Sequence, residues 1–190
     1  MTNESVIQKL SEVPWVKIFT QTIDQPQALP AVLAGYGIDA FRLAEIAQDS
    51  PHASEAYGRK VLFKNEEVEV MLAKWTYQSM AAPHNHGTSQ GLIWFAQGNF
   101  REQHYHFKNH ALTQEQSSQI YSENEVVTVE PNDIHSCQPE TVGLSLHIYS
   151  PPIHHMKVWD QEKKRTLTVA DECGAWIPEN KNLIVSEKNW

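Results

Sequence analysis

Residues 83–98 of this chain read PHNHGTSQGLIWFAQG, which places two histidines shortly before an apolar stretch. In an extended segment, side chains two positions apart project from the same face, so His84 and His86 could chelate one metal ion. Residues 91–96 form the most apolar window of the chain, and a window of this length is far too short to cross a bilayer. We therefore expect a buried β-strand that follows a pair of potential metal ligands.

Short runs of β-type residues continue around this stretch, from about Tyr57 towards the C-terminus. Turn residues such as Gly98-Asn99 and Pro151-Pro152 separate them, at spacings typical of a sandwich or a jelly-roll barrel. The predicted strands cover residues 61–64, 68–77, 91–95, 126–129, 143–149 and 165–169. The sequence thus predicts a mainly β fold.

The first 55 residues have a different, helical rhythm. Apolar residues there lie three or four positions apart, which is typical of amphipathic helices; one such set is Val6, Leu10, Val13 and Val16. Pro30 and the run Gly35-Tyr36-Gly37 are expected to divide this stretch. We expect one domain over residues 1–190, with a helical N-terminal segment (1–55), a β-barrel (56–170) and a C-terminal tail (171–190) that is irregular after about Trp176.

Composition narrows the class of partner. The 190 residues include 15 Lys and Arg against 23 Asp and Glu, a net charge of −8, and 41% are hydrophobic. This acidic balance, without a basic run, argues against nucleic acid or a membrane as partner, so we expect small-molecule ligands. Residues 1–4 show no signal-sequence pattern, and we expect Cys137 and Cys173 to stay reduced. The sequence therefore predicts a cytoplasmic protein.

A third metal ligand is expected from His135. It follows a predicted strand and the turn Pro131-Asn132-Asp133, where an antiparallel barrel could return it to the first pair. Three imidazoles would cover one face of an ion and leave the other open to water or substrate, as catalytic sites require. By itself, a His-x-His pair is equally well explained by solvated or hydrogen-bonded histidines.

Other histidines compete for this role. His104 and His106 share the one-residue spacing, with His110 beyond them. Because their stretch is polar and follows a turn, we interpret it as an exposed hairpin. His154 and His155 follow two prolines and are also expected at the surface.

The span from His84 to Gly98 resembles the first motif of the cupin superfamily, G-x5-H-x-H-x3,4-E-x6-G. The two histidines and Gly98 match, whereas Gln90 or Gly91 fills the glutamate position. Residues 131–135 loosely resemble the second motif, P-x-G-x2-H. The resemblance implies a cupin, jelly-roll-like β-barrel. The missing carboxylate would leave the charge of a dication to be balanced by an anionic ligand such as a thiolate.

A more specific pattern is Ser145-Leu146-His147-Ile148-Tyr149-Ser150-Pro151-Pro152. Its Ser145, His147 and Tyr149 share one face of a predicted strand, for which a solvent-facing alternation is the alternative explanation. Together with Pro83-His84-Asn85-His86 and Asp133-Ile134-His135, this string resembles the cysteine dioxygenase type I family of thiol dioxygenases. The resemblance runs from about residue 57 to residue 160.

The resemblance implies a role for each matching residue. His84, His86 and His135 would hold ferrous iron, Fe(2+), and the relay of Ser145, His147 and Tyr149 would be catalytic. Tyr57 and Arg59 would bind the substrate, since an arginine fork can hold a carboxylate by two parallel hydrogen bonds. Without the resemblance, Arg59 beside Lys60 would be read as a surface residue.

The departures from the family pattern guide the choice of substrate. Vertebrate members carry a cysteine cross-linked to the relay tyrosine where this chain has Gly91, so Tyr149 is expected to keep a free phenol. Members selective for 3-mercaptopropionate carry glutamine at the position of Arg59. We therefore expect oxidation of L-cysteine by O2 to cysteine sulfinic acid. The alternatives are another small thiol, such as 3-mercaptopropionate, or a non-redox metal-binding cupin.

Two local features complete these expectations. Cys137 lies two residues after His135 and is interpreted as a small buried hydrophobic residue. The Ser150-Pro151 bond could be cis. The sequence makes no prediction of the oligomeric state.

Overall fold

The computed structural model describes residues 10–47 and 55–190. Within these residues, three short α-helices precede eleven β-strands. The helices are α1 (Trp15–Thr22), α2 (Leu29–Ala34) and α3 (Ala40–Ala47). The strands are β1 (Gly58–Lys64), β2 (Glu69–Trp75), β3 (Gln90–Gln97), β4 (Phe100–Lys108), β5 (Ala111–Tyr121), β6 (Val126–Val129), β7 (Ile134–Pro139), β8 (Gly143–Ser150), β9 (Lys157–Asp160), β10 (Arg165–Val169) and β11 (Ile184–Asn189). The predicted mainly β fold with an N-terminal helical segment is confirmed.

None of the helices in the described part of the chain has the length and apolar character needed to span a membrane.

The helical segment forms because its apolar residues recur at helical spacing. In α1, the side chains of Trp15, Ile18 and Phe19 are buried on one face. Pro30 lies in the first turn of α2, where its missing N–H costs no hydrogen bond, so it helps to start a helix. Gly37, with φ of 74°, follows the end of α2. Val6, the first member of the predicted stripe, lies outside the described residues.

The strands form one five-stranded sheet in the order β1-β2-β8-β3-β6 and two three-stranded sheets in the orders β11-β10-β9 and β5-β4-β7. All pairings are antiparallel. His84 joins the two smaller sheets through single-residue bridges to His135 and Val158. The resulting arrangement is two opposed antiparallel sheets, as in a jelly roll.

The five-stranded sheet is buried on both faces. Leu72, Leu92 and Leu146 lie on one face and pack against the helices, in a core that also contains Trp15 and Leu33. Each fully buried Leu of this kind contributes about 2 kcal/mol to folding. The helical segment therefore stabilises the outer face of the sheet, and the chemistry-bearing side chains lie on the inner face.

Gly98 shows why the closing position of the cupin-like motif needs glycine. Its φ is 82°, a region that side chains rarely tolerate. A Cβ atom there would also lie 2.8 Å from the carbonyl oxygen of Val142. The turn between β3 and β4 thus depends on this residue.

Two expectations about local structure are wrong. The tail is not irregular throughout, because residues 184–189 form β11, which pairs with β10. This strand is almost wholly exposed, so it lacks the alternation that identifies a half-buried strand. The pair His84 and His86 also does not lie on a regular strand: His84 forms the isolated bridges, and His86 directly precedes the turn at Gly87.

Candidate metal centre

The structure brings His84, His86 and His135 together inside the barrel. Their ring centroids are 4.6–5.0 Å apart, and one ligand atom from each lies within 4.8 Å of the others. All three side chains are buried. The turn after β6 reverses the chain, and mutual backbone hydrogen bonds of 2.9 and 3.0 Å then hold His135 opposite His84. The antiparallel return expected for His135 is thus present.

The donor set fits a divalent metal ion. Nδ1 of His84 lies 2.8 Å from the carbonyl oxygen of Ala82, which leaves its Nε2 for a ligand. Nε2 of His135 and Nδ1 of His86 are buried without any hydrogen-bond partner, a costly state that a bound cation would relieve. Burial, followed by repulsion from His135, lowers the pKa of His84 to about 3. Neutral imidazoles are the form that binds metal.

A chain of hydrogen bonds on β8 runs beside the three histidines. Oγ of Ser145 lies 2.7 Å from Nε2 of His147, and Nδ1 of His147 lies 3.0 Å from the hydroxyl of Tyr149. That hydroxyl is in turn 3.3 Å from Nε2 of His86. All three relay side chains are buried on the inner face of the sheet, so a solvent-facing alternation is wrong for this strand.

Trp75 adds a hydrogen bond at the Ser145 end of the relay, and the direction of the remaining bonds depends on the tautomer of His147. The indole N–H can only donate, and it donates to Oγ of Ser145 at 2.8 Å. Burial lowers the pKa of His147 to about 3, so its ring is neutral and carries one proton. When the Ser145 hydroxyl donates to Nε2 of His147, Nδ1–H donates to the Tyr149 oxygen. The phenolic proton of Tyr149 is then free to donate towards the metal centre.

Gly91 leaves the space that the Tyr149 ring occupies. The two residues are partners across β3 and β8, and a Cβ atom on Gly91 would lie 2.6 Å from two ring carbons of Tyr149. Burial raises the pKa of Tyr149 well above its ordinary value. The tyrosine is therefore a neutral phenol packed directly over a glycine.

Arg59 lines the same cavity, but its guanidinium already has a partner. One of its nitrogens donates to Oε1 of Glu69 at 2.6 Å, while Nζ of Lys64 lies 3.0 Å from the other carboxylate oxygen. The Glu69 side chain is 1% exposed, and that of Arg59 is 14% exposed. Counted by itself, this group of two cations and one carboxylate carries one net positive charge, and Asp171 adds a carboxylate to the lining of the same cavity.

Tyr57 also lines the cavity, where its hydroxyl holds the C-terminal tail. The backbone N–H of Ala175 donates to this hydroxyl at 3.0 Å. The ring stacks on Trp75, with centroids 4.4 Å apart, and meets Trp176 edge-on. Burial is the largest cause that raises the pKa of Tyr57 to about 12. The phenol therefore stays neutral and anchors the tail over the site.

Two buried carboxylates were missed by the sequence reasoning. Glu102 on β4 accepts a hydrogen bond from Nδ1 of His135, and Glu69 on β2 holds Arg59. The signal for each was alternation: Glu102 follows the buried Phe100 by two residues, and Glu69 precedes the cavity-lining Met71 by two. Burial alone would raise the pKa of Glu102, but the hydrogen bonds with His104 and His135 outweigh it and hold the pKa below its ordinary value.

None of the competing histidines in the described part of the chain belongs to the group of three, although the His104 ring lies 6.1 Å from that of His135. His106, His110, His154 and His155 are exposed as predicted. His104 is only partly exposed, at 31%, with Nε2 at 3.3 Å from Glu102, so its expected full exposure is wrong.

The two cysteines are unpaired and line the cavity. Cys173 is buried and Cys137 only partly so. Burial raises the pKa of the Cys173 thiol to about 11 and that of Cys137 above its usual range. Both side chains therefore remain neutral thiols. The Ser150-Pro151 bond is cis.

Comparisons with known proteins place this geometry in a family. Residues 4–162 match the family described as Cysteine dioxygenase type I, a span that includes the helical segment outside the resemblance found by motif. Among solved structures, the chain is similar to KdgF from a Halomonas species, at 15% identity and a TM-score of 0.45, with 54% of this chain and 87% of that chain covered. It is also similar to an RmlC-like cupin from Shewanella frigidimarina, at 14% identity and a TM-score of 0.44, with 55% and 86% covered. Similarities this distant carry no functional argument.

The family match confirms the family and the cupin fold that the sequence motifs predict. The family implies dioxygenase-type oxidoreductase activity on a small molecule with O2, at a centre that the three histidines could supply. The chain belongs to the cysteine dioxygenase type I family.

Proposed function

We propose that this chain is a non-heme iron dioxygenase that converts L-cysteine and O2 into cysteine sulfinic acid. The observation that supports the proposal best is the group of three buried histidines, two of which, His86 and His135, have a buried ring nitrogen without a hydrogen-bond partner. It lies in a cavity that also contains Arg59, His147 and Tyr149. A neutral three-histidine set with no carboxylate among its members suits an anionic thiolate as the next ligand.

Ferrous iron bound by His84, His86 and His135 would supply the site at which thiolate and O2 meet and would carry the redox chemistry. The protein contributes position and charge. The three imidazoles line one part of the cavity, and the rest of the cavity would leave room beside a bound ion for the reactants. The reactants are thereby held in one small volume, which lowers the entropic part of the barrier.

Arg59 is proposed to bind the substrate carboxylate. The cluster of Arg59, Lys64 and Glu69 retains one net positive charge, which a carboxylate would neutralise. Glu69 also fixes the guanidinium before substrate arrives, so less side-chain entropy is lost on binding. Tyr57 would position the cavity wall through its bond to Ala175.

Tyr149 is proposed to donate a hydrogen bond to the reacting groups. In the tautomer in which Nδ1 of His147 carries the proton, His147 donates to the Tyr149 oxygen, and the phenolic proton is directed away from His147. A preorganised donor in a dry site stabilises charge that develops in the transition state. Ser145 and His147 thus act through Tyr149, while Tyr149 itself contacts the reactants.

A second candidate is another small thiol, 3-mercaptopropionate or cysteamine. Glu69 already uses part of the Arg59 fork, which weakens a strict requirement for a carboxylate and so favours cysteamine, the one of the two that has no carboxylate. The discriminating variant is Arg59→Gln. If Arg59 reads the cysteine carboxylate, this change should lower kcat/KM for cysteine by about 10- to 100-fold, the cost of a lost hydrogen bond to a charged group, and should leave cysteamine unaffected.

The experiment that tests the activity is oxygen uptake by iron-loaded protein across a panel of thiols, with identification of the product. Stoichiometric uptake with cysteine and formation of the sulfinate would support the proposal. Uptake with a different thiol alone would establish the second candidate. A non-redox cupin would consume no oxygen with any thiol. We place this activity in the cytoplasm as part of the proposal, since both cysteines are unpaired.

A further inference from the structure

Glu102 is a buried carboxylate with every oxygen engaged. Oε1 accepts a hydrogen bond from Nδ1 of His135. Oε2 accepts one from the Tyr121 hydroxyl at 3.0 Å and lies 3.3 Å from Nε2 of His104. The residue is 5% exposed. Its orientation is therefore fixed from both sides by the walls of β5 and β7.

Glu102 is not paired with a lysine or an arginine, the usual partners of a buried carboxylate. Within residues 10–47 and 55–190, no lysine or arginine forms an ion pair with it, and its charged-type contacts are the histidines 104 and 135. On the partly exposed side, His104 can supply a positive charge, because its hydrogen bond with Glu102 raises the pKa of its ring. On the buried side, the group of three histidines lies beyond the Glu102–His135 contact.

The hydrogen bond between Glu102 and Nδ1 also determines the tautomer of His135. With the proton held on Nδ1 by Glu102, Nε2 carries the lone pair, and this is the buried nitrogen that has no partner. Metal-binding histidines commonly gain orientation and basicity from a carboxylate on the distal nitrogen. We propose that Glu102 is a positioning residue of the metal centre, which fixes the ring and tautomer of His135 and supplies negative charge to the site through that ring.

This role accounts for a departure from the cupin motif. The usual glutamate position is filled by Gln90 or Gly91; the Gln90 amide points to Glu130, 3.3 Å away, and Gly91 lies under Tyr149. Glu102 supplies a carboxylate that contacts the ligand His135 and not the ion itself. It therefore occupies none of the coordination positions. The inference rests on the proposed metal centre but not on the identity of the thiol.

The test is metal affinity, measured apart from catalysis. Apo-protein, Glu102→Ala and Glu102→Gln are titrated anaerobically with Fe(II) against a chromophoric chelator, and with Co(II), whose visible absorption reports coordination geometry. We expect Glu102→Ala to lower Fe(II) affinity by about 10- to 100-fold, the usual effect of losing an outer partner of a ligand, and to alter the Co(II) spectrum. The Fe(II) affinity of Glu102→Gln should lie between those of Glu102→Ala and the unaltered protein. Its amide oxygen can still accept the hydrogen bond from His135, but it carries no charge.

The matched control is Glu115→Gln on the neighbouring strand β5. Its carboxylate lies 3.0 Å from the exposed His106, so the same substitution should leave the affinity unchanged. Equal affinities for Glu102→Ala, Glu115→Gln and the unaltered protein would overturn the inference. If Glu102→Ala does not fold, Glu102→Gln decides: an affinity below that of Glu115→Gln supports the role, and an equal affinity overturns it. If no variant oxidises a thiol but Glu102→Ala still weakens Fe(II) binding, the proposed activity falls while the role of Glu102 stands.

Discussion

His84 and His86 lie inside the barrel, whereas His104 and His106 lie on a hairpin strand, although each pair is separated by one residue. The first pair is buried and meets a third imidazole. In the second pair, burial decreases along β4, and His106 is 75% exposed beside Glu115. Spacing alone therefore does not identify a metal site. The site requires that the chain return a third ligand and that water be excluded.

The largest difference between the two pairs is expected when one imidazole is removed from each. His86→Ala should abolish tight metal binding, with a loss larger than the about 10- to 100-fold expected for an outer partner. His106→Ala should change nothing, since an exposed pair contributes little. Metal content after anaerobic loading measures both. Retention of a full equivalent of metal by His86→Ala would contradict the three-histidine centre.

A tyrosine inside the barrel and a tyrosine on the hairpin strand β4 should also differ in their effect on turnover. Tyr149→Phe should lower kcat by about 100-fold, the cost of one preorganised donor, while iron content stays normal. Tyr105→Phe on the hairpin, which loses only a 3.2 Å contact with Ser136, should keep kcat. Steady-state oxygen uptake with measured iron content tests the pair. Full turnover by Tyr149→Phe would remove the proposed donor role.

The interior histidines should also make stability depend on pH. Unfolded His147 binds a proton below about pH 6.5, but the folded residue does so only near pH 3. Between these values the unfolded state holds more protons, so the free energy of unfolding falls as pH drops, by up to about 1.4 kcal/mol per pH unit for this group. Above pH 6.5 its contribution is constant.

Urea unfolding of the apo-protein at a series of pH values measures this slope. His147→Gln should reduce it, whereas His106→Gln should leave it unaltered. Identical slopes for His147→Gln and the unaltered protein would show that His147 does not titrate as described.

The smallest effect is expected at the boundary between the two regions. His104 touches Glu102 from the partly exposed side. His104→Gln should therefore weaken Fe(II) binding by only a few-fold, less than Glu102→Ala, because Tyr121 and His135 still hold the carboxylate. The chelator competition described above measures it. A loss as large as that of Glu102→Ala would make His104 a principal support of the centre.

Much of this arrangement could be predicted from the sequence. The interior strands β2 and β3 are short, largely apolar runs in the sequence, and the histidines 84, 86 and 135 come with motif neighbours. Glu102 and Glu69 were missed because a charged residue in a strand ordinarily faces solvent, and this expectation outweighs the alternation that places each on the same face as a buried neighbour. The same limit hid β11, whose residues are almost all exposed. Trp75 was not recognised as part of the relay because its donor role depends on a contact 70 positions along the chain.

The bridge at His84 has a mechanical consequence. Its backbone joins β7 and β9, so the peptide that carries a ligand also closes the seam between two half-sheets. Loading the centre should therefore tighten that seam. Amide hydrogen exchange at positions 84 and 135 would slow together when metal binds. Exchange at these two backbone amides would therefore report how much of the protein holds metal.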